Sequence, residues 1–233
     1  MHLVLVHGAG GTPSTWSAVV PVLEARGHRF TLVSNPLISL ETDVANTLSV
    51  IDSIGEPVLL VGHSYGGAVI TNAGNHPAVV GLLYIAAFAP DEGESVTDIV
   101  SRYEPAAVNK YMVRGENGEW STGRGGDFWN EIGWDVPEEH RQSLISETRK
   151  SENAIFDQPS GPAAWKSKPT WYLVASEDRT LRTDTQRDMA ARAGAETSEV
   201  VTSHFTPRVA PVAIVDLIEH VLEALPGGVV ALG

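Results

Sequence analysis

The stretch that decides the fold runs from Val58 to Ile70 and reads Val-Leu-Leu-Val-Gly-His-Ser-Tyr-Gly-Gly-Ala-Val-Ile. An apolar run, a Gly-x-Ser-x-Gly turn and a second apolar run predict a buried strand, a sharp turn and a helix. Gly62 and Gly66 lack a Cβ, so the two backbones can approach closely and Ser64 can take a strained conformation. Its hydroxyl then lies beside the helix N-terminus, where backbone N–H groups point at whatever Ser64 attacks.

Apolar strands and amphipathic helices alternate on both sides of this stretch. Strands are predicted at 2–6, 28–33, 57–62, 79–85, 169–175 and 197–201. Helices are predicted near 14–26, 40–53, 65–75, 181–193 and 208–224. This alternation is typical of an α/β fold with a mostly parallel six-stranded sheet flanked by helices.

The alternation breaks between residues 91 and 165. Aromatic side chains are concentrated there: Tyr103, Tyr111, Trp120, Phe128, Trp129, Trp134, Phe156 and Trp165. A hairpin is predicted at 114–120 and a helix from Asp135 to about Lys150. We interpret 91–165 as a cap inserted into one discontinuous core domain, 1–90 and 166–225, with a fraying tail at 226–233. The alternative is a second packing layer in which the aromatics are core.

Composition narrows the class of protein. The 233 residues carry a formal net charge of −13, which disfavours a nucleic-acid partner. There are no cysteines, so disulfides and a cysteine nucleophile are excluded. No apolar run has the length of a membrane span, and no secretory signal precedes the first strand, so the expected location is the cytoplasm. The expected partner is a small-molecule substrate, and the expected assembly is a monomer or homodimer.

A serine hydroxyl needs a base to take its proton and an acid to orient that base. The histidines downstream of Ser64 are His76, His140, His204 and His220. Of these, His204 alone directly follows a predicted strand, which places it on the same rim of the sheet as Ser64. By position, both Glu177 and Asp178 qualify as the acid, and Arg179 could keep either ionised. Asp157 is a weaker candidate.

The loop after the first strand, His7-Gly-Ala-Gly-Gly11, is predicted to complete the site. A tetrahedral intermediate needs two N–H donors for its oxyanion, and we expect them from Ala9 and Tyr65. His7 is interpreted as holding this loop by hydrogen bonds. The spacing of a dinucleotide-binding loop and the lysine of a P-loop are both absent, so a nucleotide site is rejected.

These residues carry a family resemblance. The segments 3–9, 61–67 and 83–95, with 171–179 and Ser203-His204, resemble small α/β-hydrolases related to plant methylesterases and hydroxynitrile lyases. The resemblance implies the α/β-hydrolase fold with a compact cap, a catalytic triad of Ser64, Asp178 and His204, and oxyanion donors from Ala9 and Tyr65. It also favours Asp178 over Glu177. The chain departs from the family pattern at 180–183 and 205–208, near the expected pocket rim.

The expected activity is hydrolysis of a small to medium, mostly apolar carboxylic ester, or a lactone, through an acyl-enzyme and without a cofactor or metal. We expect the following residues to bind substrate: Gly10, Phe88, Trp120, Trp129 and Phe205. One alternative is a hydroxynitrile-lyase-like C–C lyase on the same scaffold. Another is a non-catalytic small-molecule receptor that has kept the hydrolase shell.

Overall fold

A computed structural model describes residues 1–225; the tail predicted at 226–233 lies outside the described residues. The first half of the fold comprises β1 (His2–Val6), a 3-10 helix (Pro13–Trp16), α1 (Val19–Ala25), β2 (Phe30–Val33), α2 (Leu40–Ile54), β3 (Val58–His63), α3 (Gly66–Ala73) and β4 (Val79–Ile85).

The chain then leaves the large sheet and returns to it. The segment from 91 to 165, called here the inserted segment, contains α4 (Val96–Val100), a 3-10 helix (Ala107–Tyr111), β5 (Met112–Arg114), β6 (Trp120–Thr122), α5 (Phe128–Glu131), α6 (Glu138–Ser146), α7 (Ala154–Asp157) and the start of a 3-10 helix (Ala164–Lys166). The remaining elements are β7 (Thr170–Ala175), α8 (Thr183–Arg192), β8 (Glu196–Val200), α9 (Thr206–Val209) and α10 (Pro211–Ala224).

Six strands form one sheet in the order β2-β1-β3-β4-β7-β8, and every neighbouring pair is parallel. The predicted sheet is therefore confirmed. The chain moves outward from β1 to β2 and then returns to place β3 on the other side of β1. The strand order reverses between β1 and β3, and the carboxyl ends of the strands at such a switch point are where α/β sheets open a ligand crevice.

Alternating side chains of the central strands build two apolar layers. Val4, Val6 and Leu60 pack on one face of the sheet. Leu59 and Val61 pack on the other. Both faces are covered, so all six residues of β3 are buried, as a near-continuous apolar strand predicts. A third apolar cluster lies largely within the inserted segment, around Phe128 and Trp129.

Several predicted helices begin or end elsewhere. The C-terminal helix is divided at Pro211 into α9 and α10, because the residue before a proline is pushed out of the helical region; Ala210 has φ −129° and ψ 48°. The helix predicted from Asp135 begins at Glu138, and the Asp135 carboxylate instead accepts a hydrogen bond from the Ser203 backbone N–H at 2.7 Å. Within residues 1–225, no helix combines the length and apolar character needed to cross a bilayer.

Candidate active site

Ser64 occupies the tight turn between β3 and α3. Its φ of 54° lies in the left-handed region, which a residue with a side chain rarely adopts. Hydrogen bonds hold this conformation: the Ser64 carbonyl accepts from the N–H groups of Gly67 and Phe88, both at 3.0 Å. A Cβ on Gly66 would lie 2.5 Å from the Val6 carbonyl oxygen, so the turn packs against β1 only with glycine there.

The three residues predicted for the catalytic triad meet at this turn. His204 Nε2 lies 2.8 Å from Ser64 Oγ, and His204 Nδ1 lies 2.6 Å from Asp178 Oδ2. An ionised carboxylate only accepts hydrogen bonds, so Nδ1 carries the proton and donates it. Nε2 is then free to accept the Ser64 hydroxyl proton. The exposed fractions of Asp178 and His204 are 6% and 8%, so water is largely kept from the bond between them.

Four donors surround the Asp178 carboxylate. Oδ1 accepts from the backbone N–H groups of Thr180 at 2.7 Å and Leu181 at 2.9 Å. Oδ2 accepts from His204 and from Gln186 Nε2, the latter at 2.9 Å. These four hydrogen bonds fix the position and orientation of the carboxylate beside His204.

The other acidic candidates lie apart from His204. Glu177 is exposed, and so is Asp157, which accepts a hydrogen bond from Thr97. Arg179, expected to support the acid by its charge, donates to the Glu131 carbonyl at 3.2 Å instead. The acid is thus held by backbone amides and Gln186 rather than by the neighbouring arginine.

The glycine-rich loop after β1 lies directly against the nucleophile. A Cβ on Gly8 would come 2.7 Å from Ser64 Cβ, so glycine permits this close approach. The backbone N–H groups of Ala9 and Tyr65 donate to no acceptor within residues 1–225, and both residues line the cavity above Ser64. Free N–H groups at such a place can stabilise a developing oxyanion.

This loop is held from two sides. His7 Nδ1 donates to the Gly8 carbonyl at 2.9 Å, and His7 Nε2 accepts the Asn35 N–H at 3.1 Å. Burial lowers the pKa of His7 to about 4, so it stays neutral and keeps both bonds. From the inserted segment, Ser151 Oγ accepts the Gly10 N–H at 2.9 Å, and the Arg149 N–H donates to the Gly10 carbonyl at 2.9 Å.

A cavity of about 690 Å³ opens above Ser64. Gly10, Phe88, Trp120 and Phe205, all expected to bind substrate, line it. Apolar side chains of the inserted segment supply much of the wall: Val96, Val100, Val108, Met112, Trp120, Phe128, Leu144 and Phe156. A volume of this size suits a small to medium organic ligand.

Trp129 is the predicted substrate residue that the structure places elsewhere. It is not among the residues that line the cavity. Its ring packs edge-on against Phe128 with centroids 5.1 Å apart and lies tilted against Phe205 at 5.7 Å. Its indole N–H donates to the Arg124 carbonyl at 3.1 Å. Trp129 therefore supports the wall from behind, as the packing alternative for these aromatics expects.

Comparison with known proteins identifies the family and the fold. A family model described as "Alpha/beta hydrolase family" matches residues 3–233. The chain belongs to this family. Among curated relatives it is 30% identical over 128 residues to "Carbendazim hydrolyzing esterase" of Nocardioides sp. (strain SG-4G), a match that covers 49% of this chain and 53% of that protein. It is 26% identical over 223 residues to "Methylesterase 2" of Arabidopsis thaliana, covering 81% and 82%.

The match thus spans about half the length of the first relative and most of the second. Among solved structures, a pyrethroid hydrolase from Sphingobium faniae JZ-2 superposes with a TM-score of 0.82 at 21% identity, covering 96% of this chain and 98% of that one. At this identity the likeness shows the fold. The resemblance to plant methylesterases is confirmed.

Some contacts of this α/β hydrolase are not evident from its sequence. His63 is buried, and burial together with the nearby His204 lowers its pKa to about 3. It therefore stays neutral, and its Nε2–H donates to the His204 carbonyl at 2.9 Å. The Tyr65 hydroxyl donates to Asp43 Oδ2 at 3.0 Å, and burial raises the pKa of Asp43 to about 6. The one indication of these contacts in the sequence is that His63 directly precedes Ser64.

Within residues 1–225 no group of three or more histidine, aspartate or glutamate side chains is arranged to hold a metal ion. Ser64 and His204 line the cavity, and Asp178 is bonded to His204 on the side of the ring away from Ser64. Their geometry can abstract a hydroxyl proton, carry it on imidazole and return it to a leaving group.

Proposed function

We propose that this protein is a serine esterase that hydrolyses a small to medium, mostly apolar carboxylic ester or lactone through an acyl-enzyme. The observation that carries the proposal is the continuous hydrogen-bonded series Ser64 Oγ–His204–Asp178, with distances of 2.8 and 2.6 Å, at the floor of an apolar cavity. The names of the relatives, an esterase and a methylesterase, support the same class of reaction.

In the proposed reaction, Ser64 Oγ attacks the ester carbonyl carbon while His204 Nε2 takes the hydroxyl proton. The N–H groups of Ala9 and Tyr65 stabilise the oxyanion, and Asp178 stabilises the imidazolium. His204 then protonates the leaving alcohol oxygen as the C–O bond breaks. Water, deprotonated by His204, then attacks the acyl-enzyme carbonyl carbon, and His204 returns the proton to Ser64 Oγ as the acyl C–O bond breaks and the acid is released. Every proton is accounted for by these side chains, so the proposed steps use no cofactor.

Residues 91–165 are proposed to act as a cap over the core formed by 1–90 and 166–225. Support comes from their position between β4 and β7 and from the apolar side chains that they place on the cavity wall. The cap would then determine which acyl and alcohol groups fit, while the core holds the reacting atoms.

The test combines active-site labelling with product analysis. A small serine-directed phosphonate should label Ser64 of the wild type, and the Ser64→Ala variant serves as the unlabelled control. On a panel of simple esters, lactones and cyanohydrins, the esters should give an acid and an alcohol and the lactones a hydroxy acid, each with incorporation of one water, and the cyanohydrins should stay intact. Cleavage of a cyanohydrin without water uptake would instead indicate a lyase. Retention of ligand without turnover would indicate a receptor, and either outcome would overturn the esterase proposal.

A further inference from the structure

The cavity has a cationic wall that the proposed reaction does not use. Arg208, in α9, is only 8% exposed, and its Nη2 donates to Glu147 Oε2 at 2.6 Å. Arg124, in the loop after β6, donates from Nη1 to the Leu144 carbonyl at 2.6 Å. Arg124, Arg208 and Glu147 all line the cavity. Arg208 thus pairs with Glu147, whose carboxylate also accepts from Ser14 Oγ at 2.8 Å, whereas Arg124 forms no ion pair within residues 1–225.

Each arginine also has one side-chain donor that no acceptor in the described part of the chain satisfies. The Nε atoms of Arg124 and Arg208 are buried and have no hydrogen-bond partner within residues 1–225. A buried charged donor without a partner is costly. Burial and the neighbouring Arg208 charge lower the pKa of Arg124 to about 10, and the charge of Glu147 opposes this shift.

The charge of this wall is opposite to that of the protein as a whole. The chain has 29 acidic and 16 basic residues, yet two arginines line its cavity beside Glu147. One other acidic residue, Asp157, lines the cavity. It is exposed and hydrogen-bonded to Thr97 and Asn153, and it forms no ion pair with either arginine within residues 1–225.

We propose that the substrate ester carries a carboxylate, or a similar anionic group, remote from the scissile bond, and that Arg124 and Arg208 bind this group. The inference rests on the proposed esterase function and narrows its substrate class to an apolar ester with one anionic end. The Arg124 guanidinium lies 5.4 Å from the ring centre of Phe205, the residue after His204. The anionic end would therefore lie along the Phe205 wall, where guanidinium groups recognise carboxylates by charge-assisted hydrogen bonds.

The test compares matched neutral and anionic esters. The first pair is the para-nitrophenyl monoester of adipic acid and para-nitrophenyl hexanoate, which share a leaving group and an acyl length and differ in the terminal carboxylate. The second pair places the charge on the alcohol: the acetate esters of para-hydroxyphenylacetic acid and of its neutral amide. The ratio of kcat/KM, anionic over neutral, is measured for each pair after subtracting spontaneous hydrolysis. At least one pair should favour the anionic ester by about tenfold or more.

Three variants assign that preference to the arginines. Arg124→Met and Arg208→Met keep an apolar stem, and each should lower the ratio about tenfold. Glu147→Gln removes the carboxylate that competes for Arg208, so the ratio should rise. A merely structural role for the arginines would not produce this rise, and Glu147→Gln still tests the inference if an arginine variant fails to fold.

The outcomes separate this inference from the proposed function. If the wild type hydrolyses both members of each pair at equal kcat/KM, and Glu147→Gln leaves the ratios unchanged, the anionic subsite is refuted while the esterase stands. If the wild type hydrolyses none of the esters and the phosphonate does not label Ser64, the esterase proposal itself fails.

Discussion

Replacing Asp178 with asparagine should abolish most activity while retaining the fold. The two oxygens of the Asp178 carboxylate have different hydrogen-bond partners, and this difference determines how an asparagine amide can be oriented there. Oδ1 faces two backbone N–H donors, those of Thr180 and Leu181. An amide NH₂ placed there would face two donors, so the amide oxygen must take that position. The NH₂ is then directed at His204 Nδ1, in place of Oδ2.

This orientation of the amide changes the tautomer of His204. Since the new NH₂ group donates, His204 Nδ1 must accept and the ring proton moves to Nε2. Nε2, 2.8 Å from Ser64 Oγ, can then no longer take the hydroxyl proton. A base held in the wrong tautomer costs on the order of 10³- to 10⁴-fold in kcat, or about 4–5 kcal/mol of barrier. The new NH₂ group would also face the Gln186 Nε2–H donor, so the free energy of unfolding should fall by about 1–3 kcal/mol.

The assay is kcat and KM for a simple chromogenic ester, with urea unfolding measured in parallel. Glu177→Gln is the matched control, because it makes the same change of carboxylate to amide one residue away on an exposed side chain. It should alter kcat by less than about twofold, since surface changes of this kind have small effects. An Asp178→Asn enzyme that keeps more than about a tenth of wild-type kcat, or a larger loss in Glu177→Gln, would refute the assignment of the acid.

Further predictions concern other parts of the molecule. Ser64→Ala and His204→Ala should each lower kcat by about 10³-fold or more, and the double variant little further, because the two act as a unit; multiplicative losses would contradict a shared mechanism. Trp120→Ala should change the kcat/KM ratio between a bulky and a small ester by about tenfold, since Trp120 lines the cavity. Trp129→Ala, from behind the wall, should change it less, and equal effects would contradict this placement. The pKa of Asp43 is raised from 3.8 to about 6 in the folded state. The folded state thus retains a proton that the unfolded chain has lost, so wild-type stability should fall by about 2–3 kcal/mol as pH rises through this interval. Asp43→Asn should lack that fall in urea titrations, and parallel pH profiles for the two proteins would refute it.

The sequence predicted the parts of the structure that depend on local pattern. Apolar runs separated by amphipathic stretches indicate a parallel sheet, and residues that follow such strands must gather at one edge. This rule predicted that Ser64 and His204 would lie together, and position alone left Asp178 and Glu177 open. The catalytic roles of these residues stay predictions, and the structure places their side chains within hydrogen-bonding distance of one another.

Other contacts could not be predicted because they are set by tertiary packing. Gln186 lies within a helix, and no periodicity distinguishes it from a solvated glutamine until α8 packs beside Asp178. Trp120 and Trp129 occur in the same aromatic-rich segment, yet one faces the cavity and the other packs behind it. Their elements have only three and four residues, too few for an amphipathic period to assign a face.

The bonds between Gly10 and the inserted segment limit how this enzyme could be re-engineered. Both the N–H and the carbonyl of Gly10 are hydrogen-bonded to the inserted segment, the N–H to Ser151 Oγ and the carbonyl to the Arg149 N–H. Ala9 directly precedes Gly10 in the chain. A chimera that exchanged residues 91–165 for a foreign segment would therefore release one side of the loop that presents Ala9. The proposed substrate-selecting segment and the proposed oxyanion donor are therefore structurally linked through Gly10. A graft that aims to change substrate alone should keep residues 149–151 and replace only the parts of the segment that face the cavity.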